Sequence, residues 1–337
     1  MKAAIYYGKK NVVIEERKTP ECKDNDILLK VIYASICGTD VAVYNRGPDT
    51  GHKIAVGGEF GHEAVCRVAA VGKNVTQVKV GDAVYPYPLL ATGDVSRAGT
   101  MGAFSEYILV PNGKLNREIY AVKEGISLKE AALIEPFTVG ARAARRAKPE
   151  AGENAVVFGA GTIGIAAAIA LKYFGCGKVM VADRSDFRLS IARSLGFITC
   201  NSAKENLKEK AISVFGAAHG LNGPTADVPI YITAAGSAEL IETYREIGKI
   251  ESRLVVVGVV SGRVPVDILS MTYAQQAIIG SGGYMPEDVR DVMAIMSCGY
   301  WDIEKIITHE FPHSRLAEAI ETASDADSAL NVIIKYG

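Results

Sequence analysis

No stretch of this sequence stays apolar for the ~20 residues that a bilayer-spanning helix needs. No sign of charge dominates either: 37 Lys and Arg stand against 38 Asp and Glu. A dedicated nucleic-acid binder would carry a basic excess. The six cysteines, Cys22, Cys37, Cys66, Cys176, Cys200 and Cys298, form no Cys-x-x-Cys pair. A zinc ribbon and a thioredoxin-like motif are therefore missing. In a reducing compartment most of these thiols are expected to be small buried hydrophobes rather than disulfides. Met1–Ile5 runs straight into strand-like sequence, without the charged, apolar and small-residue zones of a secretory leader. A cytoplasmic protein with no membrane and no nucleic-acid partner is the expectation. Internal repeats and low-complexity segments are also lacking.

What is present is a chain of 337 residues, about half apolar, enough for two ordinary domains. Up to about residue 145, short β-branched runs alternate with turn residues, as in Ile27–Ala34, Ala64–Val71 and Tyr107–Val110. Val71–Val75 and Val80–Val84 read as strand, tight turn, strand, the pattern of a compact β unit. The pattern then changes. Ala155–Phe158 is a continuous apolar run, suited to a parallel strand buried on both faces. A helical stretch, Ile163–Phe174, follows and ends at Gly175. Val179–Ala182 and a second helical stretch, Phe187–Leu195, come next. Val228–Thr233, Leu254–Val257 and Ala277–Ile279 continue the series of buried strands. Such alternation predicts a doubly wound α/β sheet. Beyond about 283 the chain returns to helices and one more strand, Ala329–Ile334.

Gly159-Ala160-Gly161-Thr162-Ile163-Gly164 is a Gly-x-Gly-x-x-Gly set between a buried-strand run and a helix, the context a dinucleotide site requires. Gly159 allows the tight turn, Gly161 lets backbone approach a pyrophosphate, and Gly164 lets helix and strand pack closely. The helix N-terminus then offers free N–H groups to the phosphates. Asp183 ends the second strand, nineteen residues after Gly164. A carboxylate there would accept from the ribose 2′-hydroxyl of NAD and repel the 2′-phosphate of NADP. Arg184 directly follows and argues the other way. Arg188, one helical turn on, suits the adenine side or a solvated helix face.

Three segments of the first part carry ligand types: Cys37-Gly38-Thr39-Asp40, Gly61-His62-Glu63 and Glu135-Pro136. Each is weak alone. Glu135 follows the apolar run Ala131–Ile134, and a carboxylate at the edge of a buried region needs a partner, of which a cation is one. One thiolate, one imidazole and one or two carboxylates suit zinc with a position left open for water or substrate. Spacing alone leaves that reading open.

With these segments in order, the sequence resembles the zinc-containing medium-chain dehydrogenases, on their polyol (sorbitol) and threonine dehydrogenase branch. Val80–Val84, Gly102–Tyr107, Ala132–Pro136 and Ile306–His309 extend the match nearly end to end. The resemblance implies a GroES-like β-barrel catalytic domain over 1–145, a Rossmann NAD-binding domain over 146–283, and a segment over 284–337 that completes the first. It implies Cys37, His62 and Glu63 as zinc ligands, and Glu135 as a direct or water-linked one. Asp40 would orient the ligand histidine, and Thr39 would take the substrate proton. Ile163, Asp183, Arg188, Val257 and Val259 fall on cofactor contacts. The activity implied is a zinc-dependent hydride transfer between NAD(H) and a secondary alcohol or ketone, such as a polyol or sugar alcohol, by a homodimer or homotetramer.

Three departures qualify the match. No cysteine lies between Tyr85 and Phe104, so one catalytic zinc and no structural zinc is expected. Ala42 replaces the histidine that usually relays the proton. Gly283 precedes Tyr284 where polyol dehydrogenases tend to place an arginine. Two other readings compete: a zinc-free quinone or enone reductase of the same superfamily, and a nucleotide-binding protein without catalysis.

Overall fold

The computed structural model describes residues 1–48, 50, 54–91, 101–260 and 262–337. The chain forms two compact units: Met1–Glu135 with Met296–Gly337, and Pro136–Ile295. The sequence reading sets boundaries at 145 and 283. The crossings fall instead within two helices, Ile134–Arg146 and Pro286–Ser297. Each helix is held in the inserted unit by what it buries. Ala141, Ala143 and Ala144 are buried on one, and Val289 and Val292 on the other.

The first unit is mainly β. A three-stranded antiparallel sheet orders Asn11–Glu16, Lys2–Gly8 and Gly58–Glu59. A seven-stranded sheet is built around Ile27–Ser35, which pairs antiparallel with Glu63–Val71 on one side. On its other side, its first half takes Tyr107–Val110 and its last residues take Asn331–Lys335. The last strand therefore closes the sheet that the early strands open. Val31, Ala34, Ala64, Cys66, Val332 and Ile334 share one buried core, and Leu316 and Ile320 cover it.

The two expected strand–turn–strand readings hold on one side of each turn only. Glu63–Val71 and Ala83–Pro86 are strands, but the stretch between them is irregular. Its backbone donors are satisfied elsewhere. Gly72 N donates to Asp26 O at 2.8 Å and Asn74 N to Asp24 O at 2.9 Å. Val80, read as a strand residue, is 62% exposed.

The second unit holds a six-stranded parallel sheet ordered 198–201, 179–183, 155–158, 230–233, 253–256, 277–280. Numbered along the chain this is 3-2-1-4-5-6, the order of a Rossmann sheet. All four residues of Ala155–Phe158 are buried, as a strand covered on both faces requires. The helix Thr162–Tyr173 is buried from Gly164 to Leu171, so it lies inside the layer rather than on its surface. No helix among the described residues is long and apolar enough to cross a membrane.

Close packing of that helix depends on Gly140 in the helix Ile134–Arg146. A Cβ at Gly140 would lie 2.6 Å from the Ala166 Cβ and 2.7 Å from Ala167 N. Alanine is worth about 1 kcal/mol over glycine in an open helix, but overpacking of a tight contact costs about 1–3 kcal/mol. The second effect wins here. Gly140→Ala is expected to lower stability by about 1 kcal/mol, and Gly140→Val by more. Denaturant unfolding measures this. A raised midpoint for Gly140→Ala would mean that the two helices stand further apart.

Candidate metal centre and dinucleotide cradle

Cys37 follows the strand Ile27–Ser35 by two residues and is the N-cap of the helix Gly38–Arg46. The free N–H groups and partial positive charge of a helix start favour a thiolate there. Asp40, in the first turn, is fully buried, and its Oδ2 accepts from Cys37 N at 3.0 Å. Its Oδ1 lies 3.5 Å from His62 Nδ1. One carboxylate thus holds the sulfur-bearing turn and stands beside the imidazole.

Glu63 begins the facing strand and His62 directly precedes it. The turn before them needs Gly61, whose φ is +90° and whose Cβ would stand 2.7 Å from the Phe104 ring. Glu63 opens the strand Glu63–Val71 directly opposite Ser35. The Cys37 sulfur, a His62 nitrogen and a Glu63 oxygen all lie within 4.8 Å of one another. Tetrahedral zinc ligands at bond lengths of about 2.0–2.3 Å stand roughly 3.5 Å apart, so modest closure suffices. Glu135, in the first turn of Ile134–Arg146, is buried and close enough to act on Glu63, but it is not one of this trio.

Burial and neighbouring like charges dominate the electrostatics of Cys37 and Glu63. Burial, then Glu63, pushes the Cys37 thiol up to about 11. Burial, then Glu135, pushes Glu63 up to about 8. Burial pulls His62 down, but Asp40 outweighs it, and the imidazole ends well above its usual value. Glu63 Oε2 is buried with no hydrogen-bond partner among the described residues. A sulfur, an imidazole and a carboxylate that each resist their bare charged or neutral state fit a divalent cation, which favours the deprotonated form of all three. The donor set is that of zinc.

In the other unit, the glycine loop sits at the carboxyl end of Ala155–Phe158, where the sheet order reverses. That switch point is the usual ligand crevice of such sheets. Gly159 has φ +99°. A Cβ at Gly164 would lie 1.8 Å from Gly159 O, so only glycine lets this helix start so close to the strand. At Gly161 the nearest atom to a Cβ is Arg188 Nη1, at 3.9 Å. The loop is open there and the guanidinium lies beside it. Ile163 is half-buried in the first helical turn. Val257 N and Gly258 N both donate to Thr233 O, which sets the 257–259 segment against the neighbouring strand end, with Val259 exposed.

Two known domain families match the chain. Residues 23–118 match the alcohol dehydrogenase GroES-like domain and residues 162–297 the zinc-binding dehydrogenase domain. The chain belongs to the zinc-type medium-chain alcohol dehydrogenase superfamily. It is 28% identical to sorbitol dehydrogenase of Bacillus subtilis, over 96% of this chain and 93% of that protein. It is 29% identical to L-galactonate-5-dehydrogenase of Escherichia coli, over 95% and 94%. The crystal structure of 2R,3R-butanediol dehydrogenase from Bacillus subtilis superposes with a TM-score of 0.86 at 25% identity, covering 99% of both chains.

Within this dehydrogenase, Thr39 lies in the first turn beside Cys37, half-buried. Ala42, on the same helix, is buried and brings no titratable group. Of the cysteine-free stretch between Tyr85 and Phe104, residues 92–100 lie outside the described residues. Two residues that sequence reasoning missed stand behind Glu63: Ser35 and Asn331. Asn331 carried a signal, as the polar residue in an otherwise apolar run. Ser35 carried none.

Asp183 does more than the sequence suggests. Its Oδ2 accepts from Ala160 N at 2.7 Å, and its Oδ1 from Arg184 N and Ser185 N at 2.7 and 2.9 Å. The carboxylate holds the glycine loop to the next strand end. Asp183→Ala leaves three backbone donors without this acceptor and is expected to cost about 1–3 kcal/mol of stability. Unfolding of the cofactor-free protein tests this. Wild-type stability would remove the tether.

Proposed function

We propose that this protein is a zinc-dependent dehydrogenase that transfers hydride between NAD(H) and a secondary alcohol or ketone, with a polyol, sugar alcohol or related hydroxy compound as substrate. The observation that carries the reading is the close trio of a half-buried Cys37 with buried His62 and Glu63, in a chain that also has a complete glycine cradle. These three side chains would hold one zinc per chain, with Glu135 behind Glu63. Zinc bound there supplies Lewis acidity that lowers the pKa of an alcohol.

The chain's own residues do the rest. Asp40 fixes the imidazole orientation and the Cys37 turn together. The Thr39 hydroxyl is the group that takes the alcohol proton. With Ala42 in place of a relay histidine, that proton passes on through water. The open face of Gly161, the Thr162–Tyr173 helix start and Arg188 receive the pyrophosphate. Asp183, one lone pair of Oδ2 still free after its tether, accepts from a ribose hydroxyl, which favours NAD over NADP. The named relatives act on sorbitol, galactonate and butanediol, which supports a hydroxylated small molecule as substrate. A cytoplasmic setting goes with a Cys37 that stays reduced.

The deciding experiment is a screen of polyols, sugar alcohols and simple secondary alcohols with NAD and with NADP, each with and without a chelator, alongside metal analysis. Reduction of NAD in preference to NADP, loss of rate with chelator, and one zinc per chain are expected. Cys37→Ser should lose zinc and lower turnover at least a hundredfold, about 3 kcal/mol of barrier, while keeping NADH binding. Metal-independent turnover would favour the zinc-free reductase reading. NADH binding without turnover of any alcohol or ketone would favour the non-catalytic one.

We further propose a homodimer, or a tetramer built from it, joined along the parallel sheet. The strand Ala277–Gly280 pairs on one side only among the described residues. The helix before it leaves Ile268, Leu269 and Tyr273 each about two-thirds exposed. An open edge beside an apolar patch is a surface that soluble proteins usually cover. Leu269→Asp is expected to shift the mass measured by light scattering towards the monomer. An unchanged mass places the contact elsewhere.

A further inference from the structure

Asn331 opens the last strand, and it is only 3% exposed. A buried amide is costly unless hydrogen-bonded. Its Nδ2 donates to Ser35 Oγ at 2.9 Å. Ser35 is itself fully buried. An amide nitrogen can only donate, so the serine oxygen is the acceptor and its single proton is left for another partner. Glu63, which lies directly opposite Ser35 across the strand pair, is the group placed to take that proton. The start of the last strand is held in turn by Thr308. Its Oγ1 donates to Asn331 O at 3.0 Å and accepts from Leu330 N at 3.1 Å. The Ile306–His309 segment, which the sequence comparison singles out and the reaction does not use, has its place here.

We propose that Ser35 and Asn331 are positioning residues for the metal centre: a directed pair of hydrogen bonds from Asn331 through Ser35 holds the Glu63 carboxylate in the orientation a cation needs. The inference rests on the zinc reading given above. Ligand carboxylates are commonly held by such outer partners, and losing one costs roughly 10–100-fold in metal affinity. The bonds are directional, so they set where the carboxylate points as well as how firmly it is held.

The test titrates zinc into metal-free full-length protein against a competing chelator, and records the visible bands of the cobalt-substituted form. Ser35→Ala should bind zinc about tenfold more weakly, with shifted cobalt bands. Asn331→Leu, which keeps the volume and removes the donor, should move both in the same direction by less. Unfolding of the metal-free proteins shows which variants fold, and either one alone is sufficient for the test. A merely structural role would lower the metal-free midpoint and leave the cobalt bands where they are. Wild-type affinity and an unshifted cobalt spectrum in a folded variant overturn the positioning role. If the wild-type protein takes up no zinc, the zinc reading falls first and this inference with it. The two failures are thus told apart by the wild-type titration.

Discussion

Antiparallel pairing lays Ile27–Ser35 alongside Glu63–Val71, and its register fixes where the candidate zinc ligands stand. The pairing runs from Leu29 opposite Val68 to Val31 opposite Cys66, then shifts at Ile32, so that Tyr33 faces Val65 and Ser35 faces Glu63. Without that extra residue, continuing the earlier register would bring Ser35 opposite His62. A β-bulge re-aims the side chains beyond it, and a slip of one residue turns each side chain to the other face. The bulge therefore places a carboxylate, not an imidazole, against the serine. It also leaves His62 in the turn, where Asp40 reaches it from the helix that Cys37 caps.

The two units solve opposite electrostatic problems. The β-rich unit gathers buried groups whose charges are not settled by their protein neighbours, with Cys37 and Glu63 both pushed towards their neutral forms. That is a poor arrangement for an empty core and a good one for a cation. The parallel sheet instead uses backbone. Its glycine loop leads into a helix start, a place that favours an anion, and Asp183 accepts from Ala160 N in that loop. Fixed partial charges at a helix start require no titratable group, and an anion can bind there without a change of protonation.

The parallel sheet was legible because buried parallel strands are short continuous apolar runs. Ala155–Phe158, Val179–Asp183 and Ala277–Gly280 lie within a residue of the sequence reading. The strand Ile198–Asn201 and the hairpin of Ala217–Gly220 with Gly223–Ala226 were not read, because polar and glycine residues break their apolar runs. Val75 and Val80 misled because β-branched residues flanking a glycine look the same whether or not the backbone finds a partner strand. At the metal centre, residue types and family resemblance pointed to Cys37, His62 and Glu63. The Ser35 contact was hidden because it depends on a register that one bulge sets, and a bulge leaves no mark in composition.

The final strand carries one more consequence, for the order of events in the cell. Asn331 and Ser35 are separated by 296 positions, with the whole Pro136–Ile295 unit between them. Contacts so distant form late, since a long loop must close first. The inserted unit, contiguous in sequence, can fold while synthesis continues. A nascent chain would thus acquire its nucleotide cradle before Glu63 gains its support, and metal would be held most firmly only after the strand at Asn331 has joined the sheet.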